Sequence, residues 1–108
     1  MPTYNKLVRD RIPEIIQKQG KACSTRILDS TEYITELRTK LQEETNEYLA
    51  AESDSEAIEE LADIMELLHA LAEAHGATAW QLEQIRAEKA EKRGGFKDRL
   101  YLIEVEDA

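Results

Sequence analysis

Between Gly20 and Gly76 the chain contains neither glycine nor proline, and no other feature constrains its fold as much. Only polar clusters can interrupt the backbone over such a stretch. Two are present. In the first, Asp29-Ser30-Thr31-Glu32, an acid three residues after a capping residue predicts a capping box that opens a long helix. Its apolar stripe is Ile34, Leu37, Leu41 and Tyr48, within a run of strong helix formers to about Ala51. The second cluster, Ser53-Asp54-Ser55, predicts a tight connection and a new helix start. That helix carries Ile58, Leu61, Ile64, Met65, Leu67, Leu68 and Leu71 and stops at Gly76. So broad an apolar surface implies burial on more than one side.

The flanks read in the same way. Leu7, Val8, Ile12, Ile15 and Ile16 recur at helical steps. Asp10 is the expected cap, Pro13 lies in the first turn where its missing N–H costs little, and Gly20 closes the helix. Thr78 with Gln81 makes another capping box, opening a helix through Trp80, Leu82 and Ile85 to about Arg93, before Gly94-Gly95. Residues 22–28 suit a loop or a short strand. The segment Leu100 to Val105 predicts a short C-terminal strand, paired with the segment after Gly20. The expected fold is all-α: an antiparallel helical hairpin with flanking helices, forming an oligomeric four-helix-bundle-type core in a single domain over residues 1–108.

Size and charge narrow the function classes. A domain of 108 residues buries only ~60–70% of its unfolded surface, so assembly into a homodimer or homotetramer is a natural way to bury more. Twenty-three acidic against 14 basic residues give a formal charge of −9, which argues against a general nucleic-acid binder. The single cysteine, Cys23, excludes an intrachain disulfide and fits a reducing compartment. With no run of ~18–20 apolar residues and no signal peptide at the start, the expectation is a cytoplasmic protein that does not enter a membrane.

Carboxylates occupy positions that the helix pattern reserves for the core. Stepping along the first long stripe gives Leu37, Leu41, then Glu44, then Tyr48; Glu47 shares that side. The same walk backward from Leu71, Leu67 and Ile64 lands on Glu60, with Asp63 one turn on. In an antiparallel hairpin turning near Asp54, the two pairs lie at nearly the same height, so Glu44, Glu47, Glu60 and Asp63 converge. At ~5 Å and an effective dielectric of ~20, each pair of unit charges costs ~3 kcal/mol. Six such pairs exceed the ~5–15 kcal/mol stability of a domain. The group must be partly protonated, splayed into water, or neutralised by a cation. An all-oxygen ligand set favours a hard divalent ion, Mg²⁺ first and Mn²⁺ second.

Glu43-Glu44-x-x-Glu47, twelve intervening residues, then Glu60-x-x-Asp63 resembles the signature of the MazG-like, all-α nucleoside triphosphate pyrophosphohydrolases, a superfamily that includes the phosphoribosyl-ATP pyrophosphohydrolases. Two further segments look like that family: Lys6-Leu7-Val8-Arg9-Asp10-Arg11-Ile12-Pro13 and Lys89-x-x-Lys92-Arg93-Gly94-Gly95-Phe96. The resemblance implies Mg²⁺-dependent cleavage between the α- and β-phosphates of a nucleotide. It makes Glu44, Glu47, Glu60 and Asp63 the metal ligands and places Glu43, Glu44 and Glu47 among the catalytic acids. It also favours phosphate contact for Lys89, Lys92 and Arg93, whose alternative role is to complement the helix dipole. Arg9, with Lys6 and Arg11, suits either phosphate or an inter-subunit contact. The basic run of phosphoribosyl-ATP hydrolases usually ends in Ser, whereas here it meets Gly94-Gly95-Phe96. That activity is the second choice within the class, and a non-catalytic acidic helical partner-binding module is the alternative outside it. Tyr48 and Trp80 read as core aromatics.

Overall fold

Asp29 makes the first long helix begin where it does. The Glu32 N–H donates to Asp29 Oδ1 (2.8 Å) and the Asp29 N–H donates back to Glu32 Oε1 (3.4 Å), meeting two donors that a helix start leaves without partners. The computed structural model describes residues 2–107 and contains four helices: α1 (Ile12–Lys18), α2 (Ser30–Leu49), α3 (Asp54–Ala74) and α4 (Ala79–Arg93). Ser53 caps α3 by accepting the Glu56 N–H (3.1 Å). At α4, Thr78 and Gln81 exchange the reciprocal pair of bonds at 3.0 and 2.8 Å. After α3 and α4 the chain passes through Gly76 (φ 86°) and Gly94 (φ 81°), left-handed conformations that end a helix and that side chains with a Cβ rarely adopt.

The four residues 50–53 joining α2 to α3 are too few for anything but an antiparallel hairpin. α2 and α3 pack along much of their length, and α4 touches α3 more lightly. At the centre lies Leu37, only 2% exposed. Around it Ile34, Leu41, Ile64, Leu67 and Leu71 are half-buried.

This is an all-α fold, and three expectations need correction. The cap of α1 is Arg11, which makes no side-chain capping bond, rather than Asp10; Pro13 in the first turn and Gly20 (φ 81°) behind the helix do most to fix its limits. No strand forms among the described residues: 22–28 and 100–105 both run as irregular chain without pairing. An isolated two-stranded ribbon is marginal in water, and no third strand or covering helix supports one here. Trp80 is exposed rather than core, and Tyr48 is partly so. No helix among the described residues is long and apolar enough to cross a membrane.

The single chain leaves much of its apolar surface uncovered. Its radius of gyration is 18.7 Å and its extents are 64 × 35 × 24 Å, against ~13 Å for a closed globule of this length. On α3, Ile58, Leu61, Met65 and Leu68 stand 41–65% exposed. The hairpin nevertheless depends on the contact around Leu37. Replacing Leu37 with Ala should cost ~2–4 kcal/mol, read as a lower urea midpoint with the slope unchanged. A midpoint within error of the parent would contradict the assignment of Leu37 as the anchor.

Candidate metal centre

Because the connection after α2 is short, Glu44 and Glu47 on α2 face Glu60 on α3. One carboxylate oxygen from each lies within 4.8 Å of the others. Glu44 and Glu60 are half-buried, whereas Glu47 lies at the exposed edge. The Oε2 atoms of Glu44 and Glu60 are both shielded from water and have no hydrogen-bond partner. A buried oxygen that receives no donor costs about 1–3 kcal/mol, more when charged.

The electrostatics record the same conflict. Sharing a proton with Glu44 is the largest influence on Glu60, followed by burial and by Glu47; together they push its carboxyl up to about 7. Burial raises Glu44, and the negative charges of Glu47 and Asp63 act in the same direction. Two carboxylates that close cannot both be charged without compensation, so the pair shares a proton or meets a cation.

Asp63 takes a different partner. Its Oδ1 accepts from Arg9 Nη2 at 2.7 Å, which ties the segment before α1 to α3. With both side chains about half exposed, such a pair contributes at most ~1 kcal/mol. Its importance is positional: it brings a guanidinium one helical turn from Glu60. Three of the four expected ligands thus meet directly, and the fourth stands beside them neutralised by Arg9.

The other expected residues lie further out. Glu43 is exposed and outside the trio. Lys89, Lys92 and Arg93 are exposed in the last turns of α4 and form no ion pair among the described residues. Three features escaped the sequence analysis. Arg26 and Glu32 form a two-point ion pair (3.2 and 2.7 Å) that holds Glu32 down at about 2. That pair borders a cleft of about 470 Å³ lined by Lys6, Leu7, Arg26, Thr31 and Glu36 among others. Lys40, half-buried, lies one turn from both Glu36 and Glu44 on the same ridge of α2. The i, i+4 spacing of Glu36, Lys40 and Glu44 was visible in the sequence. The cleft was not, because it forms from segments distant along the chain.

The trio should impose a pH dependence of definite sign. Folding raises the Glu60 carboxyl from 4.5 to about 7, so the native state binds its proton more tightly than the unfolded chain does. That contribution is complete below about 4.5 and is lost as pH rises through about 7. Without divalent ions, the melting temperature should fall across this interval. In Glu60→Gln the same step should be reduced, and at pH 8 this variant should melt above the parent. Superimposable pH profiles for parent and variant would refute the raised affinity.

No family model matches the chain, and no solved structure matches it. An uncharacterized protein of Mycolicibacterium smegmatis is 44% identical to it over 54 residues, covering 50% of this chain and 55% of that protein. The chain therefore spans about half the length of the curated relative it matches, and the description of that relative names no activity, ligand or partner.

Proposed function

We propose that the chain is a Mg²⁺-dependent nucleotide pyrophosphohydrolase that cleaves a nucleoside triphosphate to the monophosphate and pyrophosphate, in clearance of unwanted nucleotides. The observation that carries this reading is the trio Glu44, Glu47 and Glu60, drawn from two helices into one oxygen-only cluster with two orphaned buried atoms. This donor set fits Mg²⁺, with Mn²⁺ as the alternative: both are hard, oxygen-seeking ions, and two half-buried carboxylate oxygens await a positive partner. The resemblance of Glu43-Glu44-x-x-Glu47 and Glu60-x-x-Asp63 to the MazG-like signature supplies the reaction class.

Glu44, Glu47 and Glu60 would hold the ion, and Asp63 would join them when Arg9 releases it. Bound Mg²⁺ supplies positive charge that offsets the phosphate oxygens and the charge developing on leaving pyrophosphate. The protein contributes the rest. Arg9, once released from Asp63, carries a planar fork suited to two phosphate oxygens at once. Glu44 and Glu60 have raised proton affinity, so whichever oxygen stays uncoordinated is suited to take the proton of the attacking water. Glu43, exposed and one residue before the trio, would hold a water beside the ion, as the resemblance implies. Lys89, Lys92 and Arg93 supply further exposed positive charge for a phosphate chain in a protein of net charge −9. The cleft beside Lys6 and Glu36 offers room for the part of the substrate that does not react.

Assembly belongs to the same proposal. The exposed apolar row on α3 supports a homodimer or homotetramer in which helices of two subunits complete a four-helix core. A pyrophosphate-release assay across nucleotides, with Mg²⁺ and with EDTA, tests the activity. Turnover should require the ion, and Glu47→Gln or Asp63→Asn should lower it by ~10²-fold or more while helical content stays unchanged. Absence of release from every nucleotide, phosphoribosyl-ATP included, would favour a non-catalytic helical module.

A further inference from the structure

The C-terminal segment after α4 leaves an unusual amount of apolar surface in water. Phe96, Leu100, Tyr101, Leu102, Ile103 and Val105 stand 73–98% exposed. Residues 100–105 have no backbone hydrogen bond among the described residues, and the same is true of 22–28. That second segment carries Ile27, 94% exposed. Sequence pattern suggests these two stretches as partners, yet within one chain no backbone hydrogen bond joins them.

We propose that they pair between chains: residues 96–105 of one copy form an arm that adds as a strand to residues 22–28 of a second copy, and the exchange is reciprocal. Both stretches offer unpaired backbone donors and acceptors, which is what strand addition consumes. Their charges are complementary. Lys21 precedes the receiving segment, and Glu106 and Asp107 follow the apolar part of the arm. Large side chains of this kind carry on the order of 150 Å² each, so the six on each of two arms bring on the order of 1,800 Å² to the contact before the receiving surface is added. A standard stable interface needs ~1,600 Å² from both sides together. A second copy is the occupant because one chain carries both halves, and a two-fold exchange engages both arms and both receiving segments and closes at the dimer. The arm and the receiving segment contain none of the trio, and the pairing is read from association rather than turnover, although Ser24, Arg26 and Leu28 also line the cleft beside Lys6.

The arm's apolar side chains are so exposed that changing them should alter association without unfolding the subunit. In the full chain, Leu102→Asp with Ile103→Asp should weaken self-association at least 100-fold by analytical ultracentrifugation, with the helical circular dichroism unchanged. A monomeric parent, or equal association of parent and variant, would overturn the proposal. Crosslinking fixes the partner segment. A Cys23→Ser, Thr25→Cys chain mixed with a Cys23→Ser, Leu102→Cys chain should give a disulfide-linked heterodimer under mild oxidation. Its yield should exceed severalfold that obtained when Ser55→Cys replaces Thr25→Cys. Equal yields would place the arm elsewhere, and preferential intrachain linkage in a chain carrying both cysteines would show that it folds onto its own subunit; either result overturns the exchange.

Discussion

Mutual repulsion among Glu44, Glu47 and Glu60 is the constraint to which the rest of the structure answers. Three carboxylate oxygens within 4.8 Å sit in a hairpin whose stability is small, since domains of this size retain only ~5–15 kcal/mol. Positions that would bury leucine carry acid instead, so the hairpin gives up core area at the place where it gathers negative charge. The chain contains partial remedies. Glu60 holds a proton up to about 7, Glu47 reaches water, and Arg9 offsets Asp63 at 2.7 Å. While both carboxylates are ionised, the buried Oε2 atoms of Glu44 and Glu60 have no donor. A divalent cation meets both needs at once, and the metal-dependent reading rests on that economy.

The same trade shapes the assembly. Only Leu37 is buried among the described residues, and the radius of gyration exceeds that of a closed globule. A chain with 42% apolar residues has the material for a core but not, alone, the geometry to enclose it. The α3 face and the C-terminal arm are both surfaces in search of cover. If two subunits supply it, the acidic site stands in a bundle more rigid than one hairpin can make, and its carboxylates are held at ligand spacing.

How much was legible in the sequence depended on how local each interaction is. Asp29 with Glu32 and Thr78 with Gln81 lie three residues apart, so those two helix starts were readable to the residue, and the Ser53-Asp54-Ser55 cluster marked the start of α3. Gly76 and Gly94 marked the ends because a positive φ there suits glycine. The meeting of Glu44, Glu47 and Glu60 was readable because a four-residue connection leaves the register little freedom. The Arg9–Asp63 pair was not, since it spans 54 residues and depends on how the chain before α1 lies. The cap of α1 misled for a related reason: Asp10 has the right side chain, but the turn places Arg11 at the boundary. Strand pairing between 22–28 and 100–105 failed within one chain because alternation records a preference for extended backbone and not the identity of the partner.

Titration calorimetry of the intact protein with Mg²⁺, repeated with Mn²⁺, tests the central claim most directly, because it asks about the ion without requiring catalysis. The account predicts saturable uptake near neutral pH accompanied by proton release, as Glu60 gives up its proton to the incoming cation, and loss of that uptake in Glu44→Gln. Absence of heat or proton release with either ion, even with a nucleotide present, would contradict it: the three glutamates would then be an acidic face that the hairpin tolerates by protonation alone.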